Sequence, residues 1–366
     1  MVEGFNIVQF LKSAVATGAS DEHLKVGSSP YIRVNGFIKK TNLPILTKEA
    51  LDSAIIEIAN CSQIDNILKE NDIDFMFEIK GCSRFRINYN RQLGMPALVI
   101  RNLSYKIPTI EELNLPECLD DLAIQHNGII LLTGPTGSGK STTLASMINK
   151  ILTSSSKHII TIEDPVEYVF NSNRSIVSQR QVGVDTESFA SGIKYALRQD
   201  PDVIFIGEIR DKETMSAALK AAETGHLVFS TLHTNDAVQT INRIVNMFEE
   251  SNRELIRRQL AETLRTTIAQ TLVYSEKNNC RYPACEIMNV SSTIRDYILK
   301  DNTEDIYRLI KENNVDNSIS LNMSLFKLVK ADLITEEEAL KASTDSNELE
   351  KMLRGASQGS KAFYEQ

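Results

Sequence analysis

Residues Gly134–Thr142 read GPTGSGKST, and this string constrains the chain more than any other feature. It follows the apolar run GIILLT at Gly128–Thr133 and runs into STTLASMINKIL at Ser141–Leu152, which has helical spacing. A buried strand, a glycine-rich turn and a helix, in that order, is the context a phosphate-binding loop requires. Gly134, Gly137 and Gly139 let the backbone wrap phosphates with its N–H groups turned inward, and Pro135, Thr136, Ser138 and Thr142 complete the loop. The helix N-terminus adds its dipole, Lys140 meets the β- and γ-phosphates, and Ser141 offers a hydroxyl to Mg²⁺. An ordinary glycine-rich turn does not explain a lysine and two hydroxyl residues directly after the last glycine. The residues therefore predict ATP and Mg²⁺ as ligands.

A loop of this kind needs a sheet around it, and 366 residues supply two domains with ample core. The net charge of −8 argues against a nucleic-acid partner, which leaves a basic footprint. No apolar run reaches transmembrane length. The N-terminal stretch MVEGFNIVQFLKSAVATG is amphipathic and carries Glu3, unlike a signal peptide. Five cysteines, an odd number with scattered spacing, fit reduced thiols in cytoplasm. Cys280 and Cys285 are the one close pair, and no further ligands stand nearby to complete a zinc site.

The expected fold class is α/β, with an α+β domain at 1–102, a linker at 103–115 and a P-loop ATPase domain at 116–366. In the first domain, Phe5, Val8, Leu11 and Val15 mark an amphipathic helix, and YIRV-NG-FIKK at Tyr31–Lys40 reads as a hairpin. Leu51–Leu68 repeats at helical spacing. Asp74–Tyr89 alternates on both sides of Gly81 as a second hairpin, and Pro96–Asn102 supplies another strand. The linker holds a capping box, Thr109 with Glu112, that predicts a short helix. From Gly128 the rhythm is strand–loop–helix, the signature of a parallel sheet covered by helices. After about residue 235 the spacing reads as helical, with Ile256, Leu260, Leu264, Ile268 and Leu272 in one stripe and C-terminal helices over about 251–355. The tail after Gly355 reads as disordered.

Carboxylates for metal and water should stand at the C-terminal ends of strands beside the loop. HIITIEDPVEY ends its strand with Glu163 and Asp164, with Glu167 beyond, and VIFIGEIRD ends its strand with Gly207 and Glu208. Glu208 is the candidate for Mg²⁺ or the attacking water, and Glu163 is the second catalytic candidate. Asp202 precedes its strand and reads as a turn cap with Pro201. HLVFSTLHTND carries His233 at the ligand end, suited to phosphate sensing or a subunit contact, and His226 at the far end, where geometry alone makes it structural. Positive charge for the γ-phosphate is sought in Arg84 and Arg86, two apart on one strand face, and in Arg101. A basic solvent face explains these arginines equally well.

Taken together, GPTGSGKST, TIEDPVEY at Thr161–Tyr168, RQDPDVIFIGEIRD at Arg198–Asp211 and AAETGHLVFSTLHTNDA at Ala221–Ala237 resemble the PilT-type twitching-motility ATPases, the retraction motors of type IV pili within the secretion ATPase superfamily. The resemblance runs from Gly18 to at least Ile298. It implies a PAS-like N-terminal domain, a RecA-like ATPase domain and a homohexamer. It also implies ATP between the two domains with N-terminal arginines reaching it, and roles for both His226 and His233. The implied setting is cytoplasmic, peripheral at the inner membrane, with an inner-membrane pilus platform protein and a paralogous retraction ATPase as partners. Family members usually carry AIRNLIRE, where this chain has TIRDYILK at Thr293–Lys300. Ile294, Arg295 and Ile298 fit; Asp296, Tyr297, Leu299 and Lys300 depart. That departure and the tail SNELEKMLRG at Ser346–Gly355 leave a PilU-like accessory motor as the alternative, with a RecA-like nucleic-acid motor disfavoured by the acidic charge and the absence of a basic, aromatic strand-binding segment.

Overall fold

The computed structural model describes residues 5–357 apart from 35, 61–63, 66, 68–69, 104–105 and 312–317. The chain divides into two compact units, Met1–Lys106 and Ile107–Gln366.

The first unit is a six-stranded antiparallel sheet in the order β3-β2-β1-β6-β5-β4. Its strands are β1 (Ala19–Lys25), β2 (Tyr31–Val34), β3 (Phe37–Lys40), β4 (Ile73–Ile79), β5 (Ser83–Gln92) and β6 (Met95–Leu103). Alternation decides the two faces. Ser83, Phe85, Ile87 and Tyr89 of β5 are buried, whereas Arg84, Arg86 and Asn88 point to the other side. Helices Ile7–Ala16 and Lys48–Ile58 cover the apolar face through Ile7, Phe10, Leu11, Leu51, Ala54 and Ile55. Side-chain oxygens of Asn6 and Thr47 accept from Gln9 and Ala50 N–H and start these helices. The helix expected to reach Leu68 stops at Ile58, where Ala59 turns extended before Asn60, a residue type that favours turns over helix. Asn35 of the expected Asn-Gly turn lies outside the described residues, while β2 and β3 pair as the hairpin predicts.

The second unit is a seven-stranded sheet in the order β13-β12-β7-β11-β10-β8-β9. Its strands are β7 (Gly128–Thr133), β8 (His158–Glu163), β9 (Ile176–Gln181), β10 (Val203–Ile206), β11 (Leu227–Leu232), β12 (Leu264–Ser275) and β13 (Cys280–Asn289). All neighbours are parallel except β12 with β13. Every residue of β7, β10 and β11 is buried, because helices cover both faces. Lys140–Ser154 and Cys118–Ala123 pack on one side, with Leu144, Met147, Ile148 and Leu119. Phe189–Ala196, Lys212–Glu223, Ala237–Asn246 and Arg253–Thr263 pack on the other, with Ile193, Met215, Leu219, Ile241 and Leu260. Among the described residues no helix is long and apolar enough to cross a membrane.

Two expectations change here. Ile110 and Leu115 of the expected linker are buried in the second unit's core. The Thr109–Glu112 capping box forms both bonds, at 2.9 and 3.1 Å, yet the chain there is only a turn. Asn114 at φ 54° and Pro116 end it before a helix can propagate.

The larger correction concerns the stretch after residue 253. Ile256 and Leu260 are helical, but Leu264, Ile268 and Leu272 lie on β12, which forms a long hairpin with β13. A four-residue spacing is about one helical turn and also an even step along a strand, so the stripe reads the same in both. The β-branched residues Thr266, Thr267, Thr271 and Val273 favour the strand. Helices Leu321–Lys330, Glu336–Ala342 and Ser346–Ser357 then pack on this hairpin around Val273, Ala284, Leu325 and Leu349. Gly355 belongs to the last of them, and the tail beyond Ser357 lies outside the described residues.

Candidate active site

The loop after β7 is held in a backbone shape that side chains would forbid. Gly134 sits at φ 139°, and a Cβ there would lie 2.3 Å from the Gln270 carbonyl oxygen and 2.7 Å from Ser138 Oγ. Gly139, at φ 88°, is the left-handed N-cap of the helix Lys140–Ser154. Lys140 Nζ donates to the carbonyl oxygens of Gly134 at 2.7 Å and Pro135 at 2.9 Å. Burial depresses the Lys140 pKa, and the carboxylates of Glu208 and Glu167 act against that shift, so both lie within electrostatic reach of it. Ser138 Oγ is buried and has no partner among the described residues. A turned glycine loop, an ammonium at its centre and an unpartnered hydroxyl fit a phosphate chain. Among the described residues no group of three or more His, Cys, Asp or Glu could hold a metal. Ser141 and Glu208 with substrate phosphates fit Mg²⁺, which is held through one or two protein oxygens in such sites.

Strand register brings the remaining candidates to the same edge. Leu232 pairs with Thr133, Ser230 with Ile206, and Ile206 with Ile162. The next residues, His233, Gly207–Glu208 and Glu163, therefore emerge beside the loop. Gly207 lies against the neighbouring strand end: a Cβ there would stand 3.4 Å from Glu163 Cα, an ordinary contact distance. Glu208 Oε1 lies 2.5 Å from an Arg210 guanidinium nitrogen, and its Oε2 lies 3.7 Å from His233 Nε2. The second distance is too long for a hydrogen bond. Burial, and then the charge of Lys140, push the His233 pKa down against the pull of Glu208, leaving a neutral imidazole at pH 7.

Glu163 is far more enclosed. It accepts from Thr161 Oγ1 at 2.7 Å, Gln179 Nε2 at 3.1 Å and Glu167 N–H at 3.4 Å. Burial pushes its carboxyl up to about 7, although these hydrogen bonds oppose the shift. Tyr168 of the same segment sits with its hydroxyl 3.0 Å from Thr142 Oγ1 and ties the segment to the P-loop helix.

His226 is not part of this group within the chain. It precedes β11 at the opposite edge of the sheet, where Nδ1 lies 2.9 Å from the Ala221 carbonyl oxygen and 3.2 Å from Thr224 Oγ1. Those contacts close the C-terminus of the helix Lys212–Glu223. Asp202 also lies at that edge, accepting from His158 N–H at 2.8 Å and Lys157 Nζ at 3.2 Å.

In the first unit Arg86 pairs in register directly with Arg101, and Arg84 stands two residues along on the same face. Arg101 and Arg33 share Asp21 at 3.0 and 3.8 Å, and Arg86 lies 3.7 Å from Asp74. Like charges placed opposite each other repel, and Asp21 and Asp74 offset that repulsion on this face.

Sequence reasoning missed Gln270, Gln179 and Tyr168. Gln270 on β12 is buried and donates from Nε2 to the Ser138 carbonyl oxygen at 2.7 Å, while Oε1 accepts from Thr143 Oγ1 at 2.9 Å. A lone amide in the otherwise apolar and threonine-rich run of β12 was the available signal.

The family model described as "Type II/IV secretion system protein" matches residues 4–357. The chain is 41% identical over 335 residues to the type IV pilus retraction ATPase PilT of Pseudomonas aeruginosa, covering 91% of this chain and 97% of that protein. It is 35% identical over 346 residues to the type IV pilus ATPase PilU of the same organism, covering 94% and 91%. A crystal structure of the pilus retraction motor PilT with bound ADP superposes with a TM-score of 0.87 at 43% identity, covering 95% of this chain and 100% of that one.

Proposed function

From the premise that this chain belongs to the type II/IV secretion system protein family, we propose that it is an ATP-hydrolysing motor that drives type IV pilus retraction. The observation that carries the reading is the convergence of Lys140, Glu208, Glu163 and His233 on one sheet edge around a phosphate-shaped loop.

The chemistry follows from those environments. Loop amides and Lys140 hold the phosphates and neutralise charge that grows on the γ-phosphoryl group. Ser141 and Glu208 would hold Mg²⁺, which would supply further neutralisation at the phosphate oxygens. Glu163, with a pKa near neutrality, orients the attacking water and takes its proton. Neutral His233, beside Glu208 and within the field of Lys140, reports the phosphate state. Arg84, Arg86 and Arg101, on one strand face of the first unit, remain the candidates for positive charge that the family likeness implies. His226 keeps the unspecified role that the family likeness implies, and within the chain its contacts are with Ala221 and Thr224.

The proposed assembly is a homohexamer with PAS-like and RecA-like units, acting in the cytoplasm on the pilus platform at the inner membrane. The divergent TIRDYILK helix favours a second reading, an accessory motor whose own hydrolysis is secondary. Pilus retraction scored in cells lacking this protein separates the two. Hyperpiliated, non-motile cells indicate the main motor; intact retraction at reduced force indicates the accessory; unchanged pili and motility overturn both.

A further inference from the structure

We propose that Gln270 is a positioning residue that sets the phosphate-binding orientation of the Ser138–Gly139 peptide. The inference rests on the nucleotide site above and adds a part that lies on a distant strand.

The side chain spans an angle in the fold. β12 runs parallel to β7, with Ala269 beside Thr133, so Gln270 comes next to Gly134 where the loop begins. Its own carbonyl oxygen fills the space a Cβ of Gly134 would need. From there Oε1 accepts from Thr143 in the first turn of the P-loop helix. One residue thus touches the strand end on one side of the loop and the helix on the other. Its amide nitrogen bonds the loop between them, at the Ser138 carbonyl. That carbonyl only accepts, so the nitrogen must face it and the oxygen must face Thr143; the amide has one orientation.

The consequence comes from peptide geometry. In a planar trans peptide the C=O of Ser138 and the N–H of Gly139 point in opposite directions. Holding the carbonyl outward, against Gln270, turns the Gly139 N–H inward, toward the phosphates the loop encloses. Gly139, in the left-handed region, has no side chain to bias that rotation, and Gln270 supplies a restraint from outside the loop. A Cβ at Gly139 would also stand 2.8 Å from Gln270 Nε2, so the close approach needs both residues. Gln270 and Thr143 are both buried, and water does not replace either bond.

The test uses the full chain. Gln270→Met keeps length and removes both bonds. Gln270→Glu keeps the acceptor toward Thr143 and puts an oxygen against the Ser138 carbonyl. A fluorescent ADP titration, the ATP KM and kcat, and the melting temperature without nucleotide are measured for each. Both variants should lose ADP affinity by about tenfold, the scale of one lost hydrogen bond with a desolvated acceptor left behind. KM for ATP should rise in parallel while kcat stays within about threefold. Thr143→Val, which frees the amide, should lose less, and combining it with Gln270→Met should add little. A residue that merely fills the core would lower the melting temperature and leave the affinity of the folded protein unchanged. Wild-type ADP affinity in either folded Gln270 variant overturns the proposal. If neither folds, unchanged affinity in Thr143→Val overturns it. A wild-type chain that fails to bind ADP sinks the nucleotide reading itself, a separate outcome.

Discussion

Two neighbouring strand ends of one sheet hold glutamates in opposite conditions. Glu208, after β10, touches Arg210 and lies within reach of Lys140 and His233. Glu163, after β8, is 4% exposed and surrounded by hydrogen-bond donors, with burial raising its carboxyl to about 7. A carboxylate at the edge of the phosphate loop is suited to hold a cation together with substrate phosphates. One that is sequestered and near-neutral in pKa is suited to accept a proton at physiological pH. The sheet brings both to one site, and the surrounding side chains make them chemically different.

The largest test of that contrast is Glu163→Gln. Turnover should fall by roughly 10³-fold, within the range of losing a positioned base, while ADP binding persists. Steady-state kinetics beside an ADP titration checks it, and near-normal turnover would remove Glu163 as the base. Glu208→Gln should cost roughly 10²-fold in turnover, in line with losing one electrostatic contact to the reacting phosphates. Its Mg²⁺ requirement should also rise. A magnesium titration that superposes on wild type would show that Glu208 does not hold the ion.

A smaller effect tests the enclosure of Glu163 through stability. Burial raises Glu163 from 4.5 to about 7, Glu286 to about 7 and Glu22 to about 8. A carboxyl whose folded pKa lies above its unfolded value binds more protons folded than unfolded between the two. Its contribution is fully present below pH 4.5 and is lost as pH rises through the folded value. Melting temperature should therefore fall from pH 6 to pH 8. Between pH 6 and pH 8 the Glu163 share is about 1 kcal/mol, the rest of its contribution being lost between pH 4.5 and pH 6. Glu163→Gln should flatten that slope. A slope in Glu163→Gln equal to wild type would mean that Glu163 is not held in the buried environment described.

The smallest expected effect lies outside the site. In the helix Ser292–Leu299, Ile294 and Ile298 are buried, whereas Arg295 and Lys300 are exposed. Lys300 pairs with Asp296, at 2.6 Å. Arg295→Ala with Lys300→Ala should keep ATPase activity within about twofold, since exposed changes cost roughly 0.5 kcal/mol or less. Pilus retraction in cells should nevertheless fall. Unchanged retraction would show that this helix is not the coupling element.

What could be read from the chain alone was local. Gly134, Gly139 and Lys140 act through backbone shape and a short reach, so contiguous residues between a strand and a helix sufficed to find them. Glu163, Glu208 and His233 could be placed because each ends an apolar run, and parallel strands deliver their C-terminal ends to one edge. The hairpin β12–β13 is masked by a spacing of four residues that satisfies helix and strand alike, with the β-branched residues of β12 as the local hint of a strand. Only the tertiary structure decided which period applied, through the partner strand β7 beside it. It also decided that Glu163 is enclosed and Glu208 lies within reach of Lys140, since Gln179 and Lys140 are far in sequence from the glutamates they act on, while Arg210 stands only two residues from Glu208. The same holds for Gln270 and its bond to Ser138. Backbone conformation is a short-range property of the chain, whereas a side chain's partners and its exposure to water are settled only when distant segments pack.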